Sequence, residues 1–186
     1  MKKYIFTFFC FFYFKDAYAL QCISGGKSYE VSKCKDTLVC VKNSISNTVL
    51  EKNVAPGDEI KCMDVNFDGE DDILIAHPPS GQVQMSSVYV FNTASATYEE
   101  NTEISALPCL EVDAEKKTIS GTCFSSSVCE HWTERYKYGK AGLELSAMEG
   151  TYCDPATGTA YSYLETYKNG KISERIVKEL KNNIGK

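Results

Sequence analysis

The chain lacks the short motifs that mark the common hydrolases and nucleotide-dependent enzymes. It has no G-x-S-x-G nucleophile elbow, no glycine-rich phosphate loop and no H-E-x-x-H zinc motif. Histidine is scarce as well, since His77 and His131 are the two in the chain. Because neither has another His nearby and the cysteines lack paired C-x-x-C spacing, a zinc site is disfavoured. We therefore expect that the protein is not an enzyme.

Two catalytic arrangements nevertheless stay open at the level of the sequence. Glu130 and His131 follow a serine run at 125–127, which supplies the three groups of a hydroxyl–imidazole–carboxylate triad. Two carboxylates that face each other in the fold would provide the pair that glycoside hydrolysis requires. Neither arrangement is marked by a local motif, so a wall-active enzyme is the least favoured class.

The chain also has no apolar run long enough to span a bilayer as a helix. Its N-terminus carries Lys2 and Lys3, then an apolar run over 4–14, and then Ala17-Tyr18-Ala19. This order predicts a signal peptide at residues 1–19, cleaved after Ala19, and a mature chain of residues 20–186. A membrane anchor is the alternative, whereas a lipoprotein is disfavoured because Gln21 precedes Cys22.

An excess of basic residues is absent too. Without residues 1–19, the mature chain carries 17 basic and 24 acidic residues, a net charge of −7. A nucleic-acid partner is therefore not expected, because such a protein needs a basic surface.

Cysteine, in contrast, is abundant. The mature chain keeps eight of the nine cysteines, and an even number in an exported chain predicts up to four disulfides and no free thiol. Eight cysteines allow 105 pairings. Local spacing suggests one of them, Cys123–Cys129, because the two residues flank the short polar segment Phe-Ser-Ser-Ser-Val.

Short strand-like runs recur at intervals of roughly ten residues, each bounded by Gly, Asn, Asp or Pro. They lie at 38–41, 48–52, 59–63, 72–77, 87–92, 110–113, 117–121, 132–138, 143–148, 161–168 and 172–179. This spacing predicts a single all-β domain, an antiparallel sandwich or propeller-like arrangement of hairpins. Over 173–182 a short C-terminal helix competes with an edge strand.

The most distinctive stretch is an acidic loop of nine residues, 64–72, that runs into an apolar strand. Oxygen-bearing side chains stand at loop positions one, three, five and nine, and a glycine stands at position six. These side chains belong to Asp64, Asn66, Asp68 and Asp72, and Glu70 at position seven would add its backbone carbonyl. An oxygen-only set of this kind predicts calcium, although position twelve is Ile75 rather than the Glu of an EF-hand. The alternative is a solvated acidic turn.

The second half of the chain contains an internal repeat. The pattern E-x-Y-K-x-G-K occurs at 134–140 and again at 165–171, and both copies predict hairpins. Asn169-Gly170 is typical of a type I′ turn, whose two central residues need positive φ. The alternation of Tyr161 and Tyr163 places aromatic rings on one face, either for sheet packing or for binding.

The loop D-x-N-x-D-G-x-x-D followed by an apolar strand resembles the calcium loop of FG-GAP-type repeats, as in integrin α-chain propellers. One such loop in an exported chain, followed by Val88-Tyr89-Val90-Phe91-Asn92 and by Tyr-rich hairpins, is similar to a family of bacterial periplasmic immunity proteins. Members of that family neutralise peptidoglycan-hydrolase toxins that type IV or type VI secretion systems deliver, and they are akin to inhibitors of invertebrate-type lysozyme. The resemblance covers residues 64–171.

This resemblance implies a periplasmic inhibitor that inserts a protruding loop into the cleft of a peptidoglycan-cleaving, lysozyme-like hydrolase. The expected inhibitory loop lies within 121–131 and is braced by the predicted Cys123–Cys129 bond. Its residues are Phe124, Ser125, Ser126, Ser127, Glu130 and His131, with Tyr136 and Tyr163 as flanking aromatic anchors. An acidic inhibitor would suit a basic wall hydrolase. The alternative is a calcium-stabilised surface adhesion module, and the identity of the hydrolase and the oligomeric state are not encoded in any motif.

Overall fold

The computed structural model describes residues 19–35, 37–122, 129–139 and 142–180. The predicted signal peptide, apart from Ala19, lies outside these residues. The described part forms fourteen strands and one short helix. In chain order these are β1 (Leu20–Ser24), β2 (Lys27–Lys35), β3 (Leu38–Lys42), β4 (Asn47–Lys52), β5 (Glu59–Met63), β6 (Asp72–Ala76), β7 (Ser86–Asn92), β8 (Thr97–Glu100), α1 (Thr102–Ser105), β9 (Leu110–Asp113), β10 (Thr118–Gly121), β11 (Glu130–Gly139), β12 (Gly142–Cys153), β13 (Ala160–Lys168) and β14 (Lys171–Glu179).

The strands form three antiparallel sheets in which neighbours along the chain pair with each other. The first sheet has the order β1-β2-β3-β4, the second β5-β6-β7-β8, and the third β14-β13-β12-β11-β10-β9. The all-β, hairpin-built architecture is confirmed, and the described residues do not form a closed barrel. Of the two alternatives for the C-terminal segment, a short helix and an edge strand, the structure shows the edge strand, β14, which ends at Glu179. Within the described ranges, no helix has the length and apolarity that a membrane crossing requires.

Strand β6 explains why an apolar run follows the acidic loop directly. All five of its residues are buried, because its sheet is covered on both faces. Ile73 and Ile75 point into one core cluster, which they share with β1 to β4. Leu74 and Ala76 point the other way, into a second cluster with Ile104 and residues of β9 to β12. Since a fully buried Ile or Leu contributes roughly 1.5–3 kcal/mol, β6 anchors both cores.

The described residues of the internal repeat share two structural features in both copies. Tyr136 donates a hydrogen bond to Glu134 over 2.5 Å, and Tyr167 donates one to Glu165 over 2.7 Å. A β-bulge precedes the tyrosine each time, so the two long hairpins bend at equivalent places. The second hairpin turns at Asn169 and Gly170 with φ of 54° and 70°, as a type I′ turn requires.

Disulfides tie the sheets and hairpins together. Cys22–Cys62 joins the first sheet to the second, and Cys34–Cys40 closes the β2–β3 hairpin. Cys129 is bonded to Cys153, so the predicted Cys123–Cys129 bond is wrong. The reason is strand register: Glu130 opposes Tyr152, which brings the preceding Cys129 opposite Cys153, with their Cα atoms 4.8 Å apart. The bond therefore clamps β11 to β12 rather than closing a loop.

Peptide mapping without reductant is expected to recover Cys22–Cys62, Cys34–Cys40 and Cys129–Cys153. Cys109 is disulfide-bonded as well, so alkylation of the unreduced mature protein should modify no cysteine. A peptide that links Cys129 to any residue other than Cys153 would contradict the register of β11 and β12.

Removal of the Cys22–Cys62 bond, which spans 40 residues, should lower the free energy of unfolding by about 4 kcal/mol in the chain-entropy model.

Candidate functional site: an acidic loop and an aromatic sheet face

The first half of the acidic loop brings three oxygen-bearing side chains into one turn. Asp64 Oδ1 and Asn66 Oδ1 both accept a hydrogen bond from the Asp68 backbone N–H, at 3.0 and 3.1 Å. The Asn66 amide donates to Asp68 Oδ2 at 2.9 Å, and Asp64 Oδ2 accepts from the Gly69 N–H at 2.9 Å. Gly69 has φ of +93°, which confirms the need for glycine at position six. Phe67 also has positive φ (64°), and its packing against the second core cluster offsets that strain.

Asp72, at loop position nine, is built into the core. The residue is fully buried, and its two carboxylate oxygens accept three backbone hydrogen bonds. Val65 and Asn66 donate to Oδ2 at 2.9 and 3.3 Å, and Phe91 on β7 donates to Oδ1 at 2.9 Å. The pKa of Asp72 is raised to about 6, chiefly because of burial and to a lesser extent because of the charge of Asp68, against the lowering effect of these hydrogen bonds. Asp72 thus fastens the loop to β7.

The two remaining acidic residues of the loop turn toward β1 and its turn. Glu70 Oε2 accepts from the Gly25 N–H at 2.5 Å, so its side chain is directed to the β1–β2 turn, and the ligand role predicted for Glu70 is that of its backbone carbonyl. Asp71 Oδ2 accepts from the Ile23 N–H at 2.7 Å, and its carbonyl accepts from the Ser24 hydroxyl at 2.6 Å. The loop therefore joins the first and second sheets.

The predicted calcium ligands divide into two groups in this geometry. Asp64, Asn66 and Asp68 offer hard oxygen donors within a single turn, which fits calcium chemistry. Asp72 stands behind them with three of about four acceptor directions used. Among the described residues, no group of three or more His, Cys, Asp or Glu side chains converges as a metal site would. The side-chain oxygens of the loop accept hydrogen bonds from N–H groups of the loop itself, and calcium binding stays a prediction.

The predicted inhibitory loop is only partly described. Phe124, Ser125, Ser126, Ser127 and Cys123 lie outside the described residues. Glu130 is exposed and His131 half-buried at the start of β11, next to the Cys129–Cys153 bond.

The two predicted aromatic anchors occupy different environments. Tyr136 packs against the second core cluster, which is typical of a structural role, and burial raises its pKa to about 12. Tyr163, in contrast, belongs to neither core cluster.

Strands β11 to β13 present aromatic residues on one face of the third sheet. Cross-strand partners share a face, and the register pairs Trp132 with Gly150 and Gly150 with Tyr163. In the neighbouring row Tyr152 opposes Tyr161. We call the side chains of Trp132, Tyr152, Tyr161 and Tyr163 the aromatic face.

The aromatic face is packed by its own rings. Tyr152 and Tyr161 stack with centroids 5.4 Å apart, and Tyr163 lies 6.3 Å from Tyr152. Gly150 makes room for this arrangement, because a Cβ there would lie 2.2 Å from the His131 carbonyl oxygen and 2.9 Å from the Tyr163 hydroxyl. Trp132, the lone tryptophan, is 54% exposed. An exposed Trp beside stacked tyrosines is typical of a binding surface.

The rim of the aromatic face is mostly acidic. The register puts Glu130 and Glu179 at one end, and Glu134 and Glu165 at the other. Arg175 neutralises Glu165, with its Nε 3.3 Å from Glu165 Oε1. The face therefore combines apolar contact area with net negative charge.

A partly buried set of polar residues at the second sheet has the order of a catalytic triad. His77 Nδ1 lies 3.3 Å from the buried Asp58 Oδ1, and His77 Nε2 lies 3.0 Å from the Ser87 hydroxyl. However, the Val88 N–H, which follows the serine and would stabilise an oxyanion, already donates to the Ser105 hydroxyl at 2.9 Å. Ser87 also pairs with Ile75 inside a regular strand rather than at an exposed turn. We interpret the contacts among Asp58, His77 and Ser87 as structural.

Sequence reasoning missed two parts of this arrangement. The Asp58–His77–Ser87 contact joins residues that are distant along the chain, and no local pattern marks it. Trp132 in the aromatic face was visible in principle, because Glu130, Trp132 and Glu134 alternate as residues on one strand face do.

No protein-family model, curated protein or solved structure matches the chain.

Proposed function

We propose that the mature protein is exported to the periplasm, binds a peptidoglycan-cleaving hydrolase and blocks its cleft. The observation that supports this function is the aromatic face with its acidic rim. Trp and Tyr are the residues that dominate binding hot spots, and here four of them lie together on one sheet face, outside both core clusters. In the immunity setting, the hydrolase is a toxin delivered by a neighbouring cell.

The charge of the protein supports a basic partner of this kind. Hydrolases that act on the anionic cell wall are often basic, and the mature chain carries a net charge of −7. The acidic rim at Glu130, Glu134 and Glu179 would steer such a partner toward Trp132. The disulfides support export, because such bonds persist in oxidising compartments.

The rigidity of the aromatic face supports inhibition rather than transient contact. The Cys129–Cys153 bond clamps the strands that carry Trp132 and Tyr152, and the rings already stack on one another. A surface that is ordered before binding loses less conformational entropy when the partner arrives. Glu130 lies at its edge, where it is placed to hydrogen-bond the polar groups of a sugar-binding cleft, whereas the next residue, His131, faces the opposite side of the sheet.

We also propose that calcium binds the loop at Asp64, Asn66 and Asp68, with the Glu70 carbonyl and Asp72 completing the oxygen set. A cation there would offset the repulsion that Asp68 exerts on Asp72. Its role is structural, because the loop joins the first sheet to the second through Glu70 and Asp71.

Calcium is expected to raise the melting temperature of the mature protein, and a chelator should lower it. At a hundredfold excess over its dissociation constant, calcium would add about 2.7 kcal/mol of stability. Asp68→Ala should abolish this response, whereas Glu115→Ala, which removes an exposed acid in the β9–β10 turn, should leave it intact. Differential scanning calorimetry with and without chelator measures both variants. An identical melting curve under all conditions would identify the loop as a plain acidic turn.

The inhibitor function is tested by a capture experiment followed by an activity assay. Mature protein immobilised on resin is incubated with periplasmic extract, and the eluate is assayed for lysis of purified peptidoglycan. The eluate should contain wall-lytic activity that added free protein suppresses. Captured proteins that do not cleave peptidoglycan would favour the adhesion module instead, and cleavage of peptidoglycan by the purified protein alone would identify it as an enzyme.

A further inference from the structure

Strand β14 leaves a long open edge on the third sheet. It stands last in the sheet order, and among the described residues it pairs with β13 alone. All nine of its residues are exposed, including Ile172 (52%), Ile176 (39%) and Val177 (42%). An exposed edge of this length with apolar side chains is a template for pairing with another strand.

The backbone direction along β14 restricts which strand can pair with it. The Leu180 N–H donates to the Ala160 carbonyl at 2.8 Å, so residue 180 points its backbone groups toward β13. Because this direction alternates in an antiparallel ladder, residues 174, 176 and 178 also point inward, and residues 175, 177 and 179 point outward. A second copy of β14 running antiparallel must therefore match odd residues with odd and even residues with even.

One such self-pairing register opposes no like charges at any position from 174 to 178. When it is centred on Ile176, the two Ile176 side chains meet at a non-hydrogen-bonded position, where side chains lie closest. Glu174 then opposes Lys178 of the second copy, and symmetry repeats this ion pair. Arg175 opposes Val177 of the second copy, and their outward N–H and C=O groups form the hydrogen bonds.

The neighbouring registers are less favourable. A register centred on Glu174 opposes two glutamates, and one centred on Arg175 opposes two arginines, both of which are destabilising. A register centred on Val177 would pair Arg175 with Glu179, but Arg175 is already engaged with Glu165 at 3.3 Å. The register centred on Ile176 keeps that internal contact.

We propose that the protein forms a symmetric homodimer through antiparallel pairing of β14 with β14 of a second copy, centred on Ile176. This pairing joins two six-stranded sheets edge to edge. Because the two Ile176 side chains share a face, both aromatic faces lie on the opposite side of the continuous sheet and point the same way. The inference stands on the edge strand and does not depend on the proposed inhibitor function.

Sedimentation equilibrium of the full mature protein tests this dimer with a charge-swap series. Lys178→Glu and Glu174→Lys each replace two attractive cross-copy pairs by two repulsive ones, so each should raise the dimer dissociation constant about tenfold. The double variant should restore wild-type affinity, which a local folding defect would not do. Lys27→Glu on the first sheet makes the same charge change away from β14 and should have no effect.

A backbone variant tests the hydrogen bonds directly. Val177→Pro removes an outward N–H and leaves the ladder to β13 intact, so it should abolish the dimer while the chain keeps a cooperative melting transition. A wild-type protein that stays monomeric at millimolar concentration would overturn the proposal. A dimer that is insensitive to Val177→Pro and to both single charge swaps would overturn it as well.

Discussion

Replacing Asp72 by Ala is expected to lower the free energy of unfolding by about 3–5 kcal/mol, the largest stability effect in the loop. The reason is that the carboxylate accepts hydrogen bonds from Val65, Asn66 and Phe91 in a fully buried position. Without it, three backbone N–H groups lose their acceptor, and each buried unsatisfied group costs about 1–3 kcal/mol. Urea denaturation followed by circular dichroism measures the change.

Asp68→Ala is the matched control, since it removes a carboxylate from the same loop at a more exposed position. In calcium-free buffer Asp68→Ala should cost no more than about 1 kcal/mol, because its hydrogen bonds lie at the surface and can be replaced by water. Comparison of the two variants therefore distinguishes the structural role of Asp72 from the proposed calcium-binding role of Asp68. Equal losses for Asp72→Ala and Asp68→Ala would contradict the structural role of Asp72.

Replacing Trp132 by Ala is expected to weaken inhibition of the target hydrolase at least about thirtyfold, the effect of a hot-spot residue worth 2 kcal/mol. Tyr163→Ala should act in the same direction, because Tyr163 stands in the same cross-strand row. Gly150→Ala should disturb the pairing of β11 with β12 and lower stability as well as inhibition, since a Cβ at Gly150 would lie 2.2 Å from the His131 carbonyl oxygen and 2.9 Å from the Tyr163 hydroxyl. Titration of hydrolase activity with each purified variant measures the loss.

Ile45→Ala controls for the removal of an exposed hydrophobic side chain, because Ile45 is 86% exposed and lies in the first sheet's β3–β4 turn. It should inhibit as well as the wild type. If Trp132→Ala and Tyr163→Ala also retain full inhibition and melt normally, the inhibitory surface lies away from the aromatic face.

The hairpin order of the fold could be predicted because turn residues and strand residues differ in local chemistry. The strands at Glu59–Met63 and Leu110–Asp113 coincide with their predicted bounds. Strands β1, β2 and β8 were missed, and the early ones carry polar and cysteine residues whose burial depends on the second sheet. The repeat predicted two hairpins, but it did not predict their bulges, which place Tyr136 and Tyr167 beside Glu134 and Glu165.

The candidate site was predictable only where its residues are neighbours in the sequence. The loop from Asp64 to Asp72 is continuous, so its oxygen spacing is legible without a structure. The disulfide partner of Cys129 depends instead on the register of two long strands, and local spacing indicated the wrong residue. Asp72 Oδ1 accepts its hydrogen bond from the backbone of Phe91, which belongs to the next strand along the chain. Contacts of this kind depend on the register of strands that are distant in sequence, so local sequence patterns do not predict them.

A stoichiometric titration tests our proposal that this protein blocks a peptidoglycan hydrolase through its aromatic face. Increasing amounts of mature protein are added to a fixed amount of each enzyme in a panel of lysozymes, lytic transglycosylases and captured wall hydrolases, and lysis of peptidoglycan is followed by turbidity. For at least one enzyme, activity should fall in proportion to added protein and vanish near about one equivalent, as tight binding requires. Trp132→Ala should shift that curve to much higher concentration. Full activity of every enzyme at large molar excess of the protein would contradict the claim.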